Sequence, residues 1–284
     1  MPKPFRWSIA RREQLGTLAD APQPPEAWFL GELRETAAKL LAIADGADLA
    51  FIGRTPENFY DYLSGAFEGW DDAPRLHLVQ FSLRWVSAAA KTALAPDNIA
   101  ALADYFDAEG VDPAAIAQGT RPLALVDMIV DGGTMQNLVQ ILHTIALARR
   151  LDWNAVQRRL RIVGLTRRTH NSPNTWRWRQ HQDWLQLIGD TQIKNVSATT
   201  DFLSYLGNDQ DKVTQSFHAG RWKTAEPGAP ATTPAQRAAI AHAAFLYDLG
   251  RTRDERHALA ACVARLPEMR SPATRALVGA LKRG

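Results

Sequence analysis

Two aspartates four residues apart, Asp127 and Asp131, stand where a short apolar run gives way to a glycine turn. The second opens Asp131-Gly132-Gly133-Thr134. Carboxylates at such a place suit ribose hydroxyls, a Mg²⁺ ion or a proton. Glycines let the backbone come close to a ligand, and free N–H groups at a helix start attract phosphate. Thr134 can cap that helix and offer a hydroxyl. Two further turns carry ligand-capable groups. Gly53-Arg54-Thr55 can hold an anion through its N–H groups and a guanidinium, and Arg167 and Arg168 add two more cations. Each also reads as an ordinary surface feature: a plain turn, a solvated pair, or an acid paired with a nearby arginine.

The elements that must position these residues follow from pattern. Leu123 to Val126 is apolar, rich in strand formers and too short for a helix, and the strand is expected to span 123–130. Met135, Leu138, Ile141, Leu142 and Ile145 lie on one face at helical spacing. Residues 48–52 form a second apolar run. Pro56 suits the first turn of a helix that runs to about residue 67. Residues 75–82 and 161–166 read as further strands. Helices are expected over 28–44, 88–95, 98–106, 235–249 and 254–266, with a helical tail or connection at 151–161. Strands alternating with helices predict an α/β fold, a parallel twisted sheet flanked by helices. Such sheets bind ligands beyond the carboxyl ends of their strands, and the three turns above are all carboxyl-end turns.

The ends of the chain differ from its middle. Residues 1 to about 25 are polar and then Pro-rich, which predicts a loosely held arm before the first helix. Glu226 to Pro234 reads as a linker to an Ala-rich helical appendage. The stretch Arg167 to Trp184 mixes four arginines with three tryptophans. Within it, 176–184 reads as packing against the C-terminal helices, with ligand cover or RNA contact as the alternatives. A net charge of +3 over 284 residues is too small to argue for nucleic acid. No run reaches membrane-spanning length and the start has no signal-peptide pattern, so a cytoplasmic protein without membrane contact is expected. Cys262 is the only cysteine, which excludes an internal disulfide and a Cys-cluster metal site. The seven histidines show no metal-ligand spacing.

Leu125-Val-Asp-Met-Ile-Val-Asp-Gly-Gly-Thr-Met135 resembles the phosphoribosyl-pyrophosphate motif of type I phosphoribosyltransferases, most closely the purine-salvage version. Phe51 to Thr55 resembles that family's pyrophosphate loop. Arg161 to Ser172 resembles the strand that ends in a basic sequence beside the ligand, and Phe202 to Phe217 more weakly resembles the hood over the base. The resemblance runs from about 48 to 222. It implies a phosphoribosyltransferase-like domain at 48–224, between an N-terminal arm and helix at 1–47 and a linker with helical appendage at 225–284. It implies catalytic Asp131 and Asp127. Gly132, Gly133, Thr134 and Met135 would bind the 5′-phosphate. Gly53, Arg54, Thr55, Arg167 and Arg168 would bind pyrophosphate. Mg²⁺ would arrive with the substrate phosphates, with Asp127 the one candidate protein ligand.

Two positions differ from the family. Met128 stands where the motif has a second acid, and the phosphate loop is one residue shorter. The expected function is transfer of phosphoribosyl between phosphoribosyl pyrophosphate, or a ribonucleotide, and a nitrogenous base or other acceptor, by a protein that can form a homodimer. The alternative is a non-catalytic nucleotide-sensing or partner-binding protein on the same fold.

Overall fold

The computed structural model describes residues 6–19, 24–82, 96–168, 182–189, 193–214 and 232–283. The helix expected at 88–95 and most of the Trp/Arg-rich stretch lie outside them, as does most of the linker at 226–234. Five strands form one all-parallel sheet in the order β2-β1-β3-β4-β5. They are β1 (Asp48–Ile52), β2 (Leu76–Val79), β3 (Leu123–Met128), β4 (Leu160–Arg167) and β5 (Ile193–Ala198). The main helices are α1 (Ala27–Ala44), α2 (Glu57–Ala66), α3 (Pro96–Ala108), α4 (Pro113–Gln118), α5 (Gly133–Ala148), α6 (Trp153–Arg159) and α7 (Thr200–Ser204). Three more close the chain: α8 (Pro234–Gly250), α9 (Arg253–Ala264) and α10 (Pro272–Arg283).

The central strands are apolar along their length because both faces of the sheet are covered. Alternate residues serve opposite cores. Leu49, Phe51, Ala124 and Val126 pack with α1, α2 and the C-terminal helices. Ala50, Ile52, Leu123 and Leu125 pack with α3 and α5. The helix after β1 and the helix after β3 therefore lie on opposite faces. Adjacent strands whose connections leave to opposite sides make a topological switch point, with a crevice at their carboxyl ends.

Element boundaries shift from the sequence expectation for local reasons. Strand β2 ends at Val79 because the Phe81 N–H folds back onto the Val79 carbonyl at 2.9 Å. Strand β3 stops at Met128, and Val130 is about half exposed in the turn. β5 was not expected: Ile193-Lys-Asn-Val-Ser-Ala198 carries three polar residues with poor strand preference, and its pairing with β4 decides it. The described residues 6–19 of the N-terminal segment are not loose either. Arg6 NH2 donates to both Asp61 oxygens at 3.0 Å, and Arg12 NH2 pairs with Asp248 at 2.7 Å. Ile9 and Leu15 bury against α8.

Candidate functional site

The turn after β1 is tight. Gly53 has φ +75° and donates its N–H to the Val79 carbonyl at 2.8 Å. A Cβ there would stand 3.2 Å from the Phe81 carbonyl oxygen, so glycine is required on both counts. Arg54 and Thr55 follow, both half-buried. Arg54 pairs with no carboxylate among the described residues. Pro56 then leads into α2, whose first residue, Glu57, is 1% exposed.

The neighbouring turn follows β3. Asp127 is buried on the α5 side of the sheet, and its Oδ1 accepts the Met128 N–H at 2.7 Å. Burial pushes its carboxyl up to about 8, and that hydrogen bond opposes the shift only in part. Asp127 is therefore mostly protonated near pH 7. Opposite it in the register is Gly164. A Cβ at Gly164 would meet Asn195 Oδ1 at 2.9 Å and Ile129 at 3.0 Å, so the missing side chain lets those groups close over the end of the strand.

Beyond Asp127 the chain turns through Gly132, at φ +85°. Asp131 is exposed, and its Oδ1 accepts the Gly133 N–H at 3.0 Å. The aspartate thus takes one of the loop amides that would otherwise be open to a phosphate. Gln182 Nε2 donates to the Asp131 carbonyl at 2.6 Å and ties the turn from outside. Thr134 is half-buried in the first turn of α5. The Met135 side chain is fully buried in the core, so only its backbone can face a ligand.

Arg167 ends β4 half-buried, and Arg168 follows it exposed. Strands β1, β3 and β4 are adjacent, so their three ends follow one another at about 5 Å spacing. The structure thus gathers the turns singled out by sequence along one edge, with the first two at the switch point.

A segment the sequence did not single out by residue reaches across this edge. After α7 the chain makes a π-helical stretch, Tyr205–Asp209. Gly207 sits on Met128, and a Cβ there would lie 2.9 Å from the Met128 Cε. Met128 therefore packs under this helix. Gln210 Nε2 donates to Asn58 Oδ1 at 2.6 Å, and the Val213 N–H donates to Glu57 Oε1 at 3.0 Å. Gln80 Nε2 donates to Thr214 Oγ1 at 3.2 Å. Lys212 is held between these anchors, with burial and the positive charges of Arg54 and Arg6 lowering its ammonium to about 8 against the pull of Glu57. No spacing in the sequence marks Lys212, since its neighbours come from four separate stretches. Only the hood resemblance over 202–217 covers it.

No family model, curated protein or solved structure matches this chain. Among the described residues no three His, Cys, Asp or Glu side chains group to hold a metal. Asp127 fits Mg²⁺ poorly: Mg²⁺ asks for charged oxygens, and this carboxyl is mostly neutral and has Met128 beside it. No helix among the described residues is long and apolar enough to cross a membrane.

Proposed function

We propose that the switch-point crevice binds a phosphorylated ribose, phosphoribosyl pyrophosphate or a ribonucleotide, and transfers phosphoribosyl to or from a nitrogenous base or other acceptor. One observation carries this reading. Two glycine turns, each opening a helix and each reached by a different strand of the same pair, stand side by side with their helices on opposite faces. That arrangement suits a ligand with phosphate at both ends.

In this reading the amides of Gly132, Gly133 and Thr134 hold the 5′-phosphate. Asp131 must release the Gly133 N–H when that phosphate enters. Gly53, Arg54 and Thr55 hold the pyrophosphate, with Arg167 and Arg168 adding charge from the next strand. Transfer breaks the bond from the anomeric carbon to a pyrophosphate oxygen, which leaves with the electron pair. A base nitrogen bonds the same carbon, and its proton passes to the Asp131 carboxylate. Asp127, protonated near pH 7, donates a hydrogen bond to a ribose hydroxyl rather than chelating a cation.

A second reading, a nucleotide sensor without turnover, is favoured by Met128. Its packing under Gly207 leaves one acid where a pair would grip the ribose. Calorimetry with phosphoribosyl pyrophosphate and with nucleoside monophosphates, with and without Mg²⁺, tests both. Binding that weakens in Arg54→Ala and Thr134→Val supports the crevice, and turnover across a panel of bases then separates enzyme from sensor. If neither kind of ligand binds, both readings fail.

A further inference from the structure

We propose that Lys212, carried across the sheet edge by residues 210–214, joins Arg54 to form a binding site for a diphosphate group at the turn after β1. This rests on reading 53–55 as the pyrophosphate turn, and adds to it a residue from a distant part of the chain.

The charge around α2 does not balance. Arg6, Arg54 and Lys212 come together here, and two carboxylates, Glu57 and Asp61, face them. Asp61 is taken by Arg6 NH2 through both oxygens at 3.0 Å. Glu57 Oε1 is taken by the Val213 N–H at 3.0 Å. Glu57 Oε2 stands 3.7 Å from Arg6 NH1 and makes no hydrogen bond among the described residues. The Arg6 side chain is 9% exposed, yet its Nε and NH1 also have no hydrogen-bond partner among the described residues. Buried polar atoms left in this state are costly. Among the described residues Lys212 Nζ has one neutral acceptor, Gln210 Oε1 at 2.9 Å, for its three protons. Arg54 has no carboxylate among the described residues.

The segment that brings Lys212 here is fastened to Asn58, Glu57 and Gln80. The fold thus holds a cation against other cations with several hydrogen bonds. A polyanion between Lys212 and Arg54 removes that repulsion. It also supplies the charged acceptors both side chains lack.

The groups facing Lys212 set its pH response. Arg54 from the β1 turn and Arg6 from the N-terminal segment repel its proton, and Glu57 from α2 holds it. His242 from α8 is driven down to about 4 by burial and by Lys212, so it is neutral near pH 7. A bound diphosphate therefore raises the Lys212 pKa from about 8, and binding takes up a proton near that pH.

The test is calorimetry on the full chain with inorganic diphosphate and with phosphoribosyl pyrophosphate, for wild type, Lys212→Met and Lys212→Arg. Lys212→Met is expected to weaken both ligands about tenfold or more, with an unchanged circular dichroism spectrum. Lys212→Arg is expected to keep most of the affinity and to lose the fall in affinity between about pH 7 and 9 that a titrating lysine imposes. Proton uptake, read from buffers of different ionisation enthalpy, is expected in wild type and absent in Lys212→Arg. Equal affinity of wild type and Lys212→Met overturns this inference and leaves the proposed function standing. Diphosphate binding that needs Lys212, with no binding of phosphoribosyl pyrophosphate or of nucleoside monophosphates, keeps this site and removes the proposed function. Wild type that binds no diphosphate removes the site.

Discussion

Among the described residues Asp127 has a single hydrogen-bond partner, the Met128 N–H, and it has almost no contact with water. Its carboxyl is therefore raised from the unfolded value of 3.8 to about 8. Between these two values the unfolded chain has released the proton and the folded chain has kept it, so stability falls as pH rises through that window and levels off above about 8. Asp127→Asn keeps an oxygen for the Met128 N–H and never ionises. It is expected to be more stable than wild type at pH 8, the gap growing by up to about 1.4 kcal/mol per pH unit across that window, with little difference at pH 4. Urea denaturation of both proteins across that range checks this. Asp61 is also raised, to about 6, but it is present in both proteins, so the difference between them reports Asp127. A variant that loses stability at pH 8 would mean that Asp127 works there as a paired, ionised acid.

Helix α2 crosses α8 with almost nothing between the two backbones. A Cβ at Gly65 would lie 2.0 Å from the Tyr247 carbonyl oxygen, and one at Gly250 would lie 2.2 Å from the Tyr62 carbonyl oxygen. Neither backbone can yield without moving a helix. Gly65→Ala and Gly250→Ala are each expected to cost about 3 kcal/mol or more, the upper end for overpacking. Gly31, inside α1, is the control. Nothing lies within 4 Å of its built Cβ. Gly31→Ala is therefore expected to stabilise by up to about 1 kcal/mol, from helix propensity alone. Thermal melts of the three variants decide it, and a Gly65→Ala that melts with wild type would show that the helices do not touch. The sequence cannot show this crossing, because a glycine inside a helical pattern reads only as a weak helix former. The strand-turn-helix units at 48–66 and 123–148 were legible because their signals are local: an apolar run, a glycine, a helical stripe. β5 and the anchors of Lys212 were not, since each is decided by partners far away in the chain. Gln210 and Asn58 lie 152 residues apart.

At the scale of the whole molecule, the C-terminal helices belong to the core that positions the site. The linker-like composition before residue 234 suggested an appendage, but composition cannot say what a helix packs against. Leu246, Leu259, Val263, Leu277 and Leu281 lie in one continuous cluster with α1, α2 and the sheet. Burying five such side chains contributes about 10 kcal/mol, which is comparable to the whole stability of a domain. Glu255 adds a polar tie. It accepts from Arg34 at 2.6 and 2.7 Å and from the Tyr62 hydroxyl at 2.6 Å. Helix α2, which starts at the candidate diphosphate turn, is thereby clamped between the sheet and α8 and α9. A chain ending at residue 231 would leave the outer faces of α1 and α2 bare and strand Tyr62 and Arg34 without their carboxylate. It is expected to show no cooperative melt and to aggregate, as read by calorimetric scanning and light scattering. A truncated chain that melts cooperatively would make these helices a detachable unit, and the geometry of the β1 turn would then have to be set by the sheet alone.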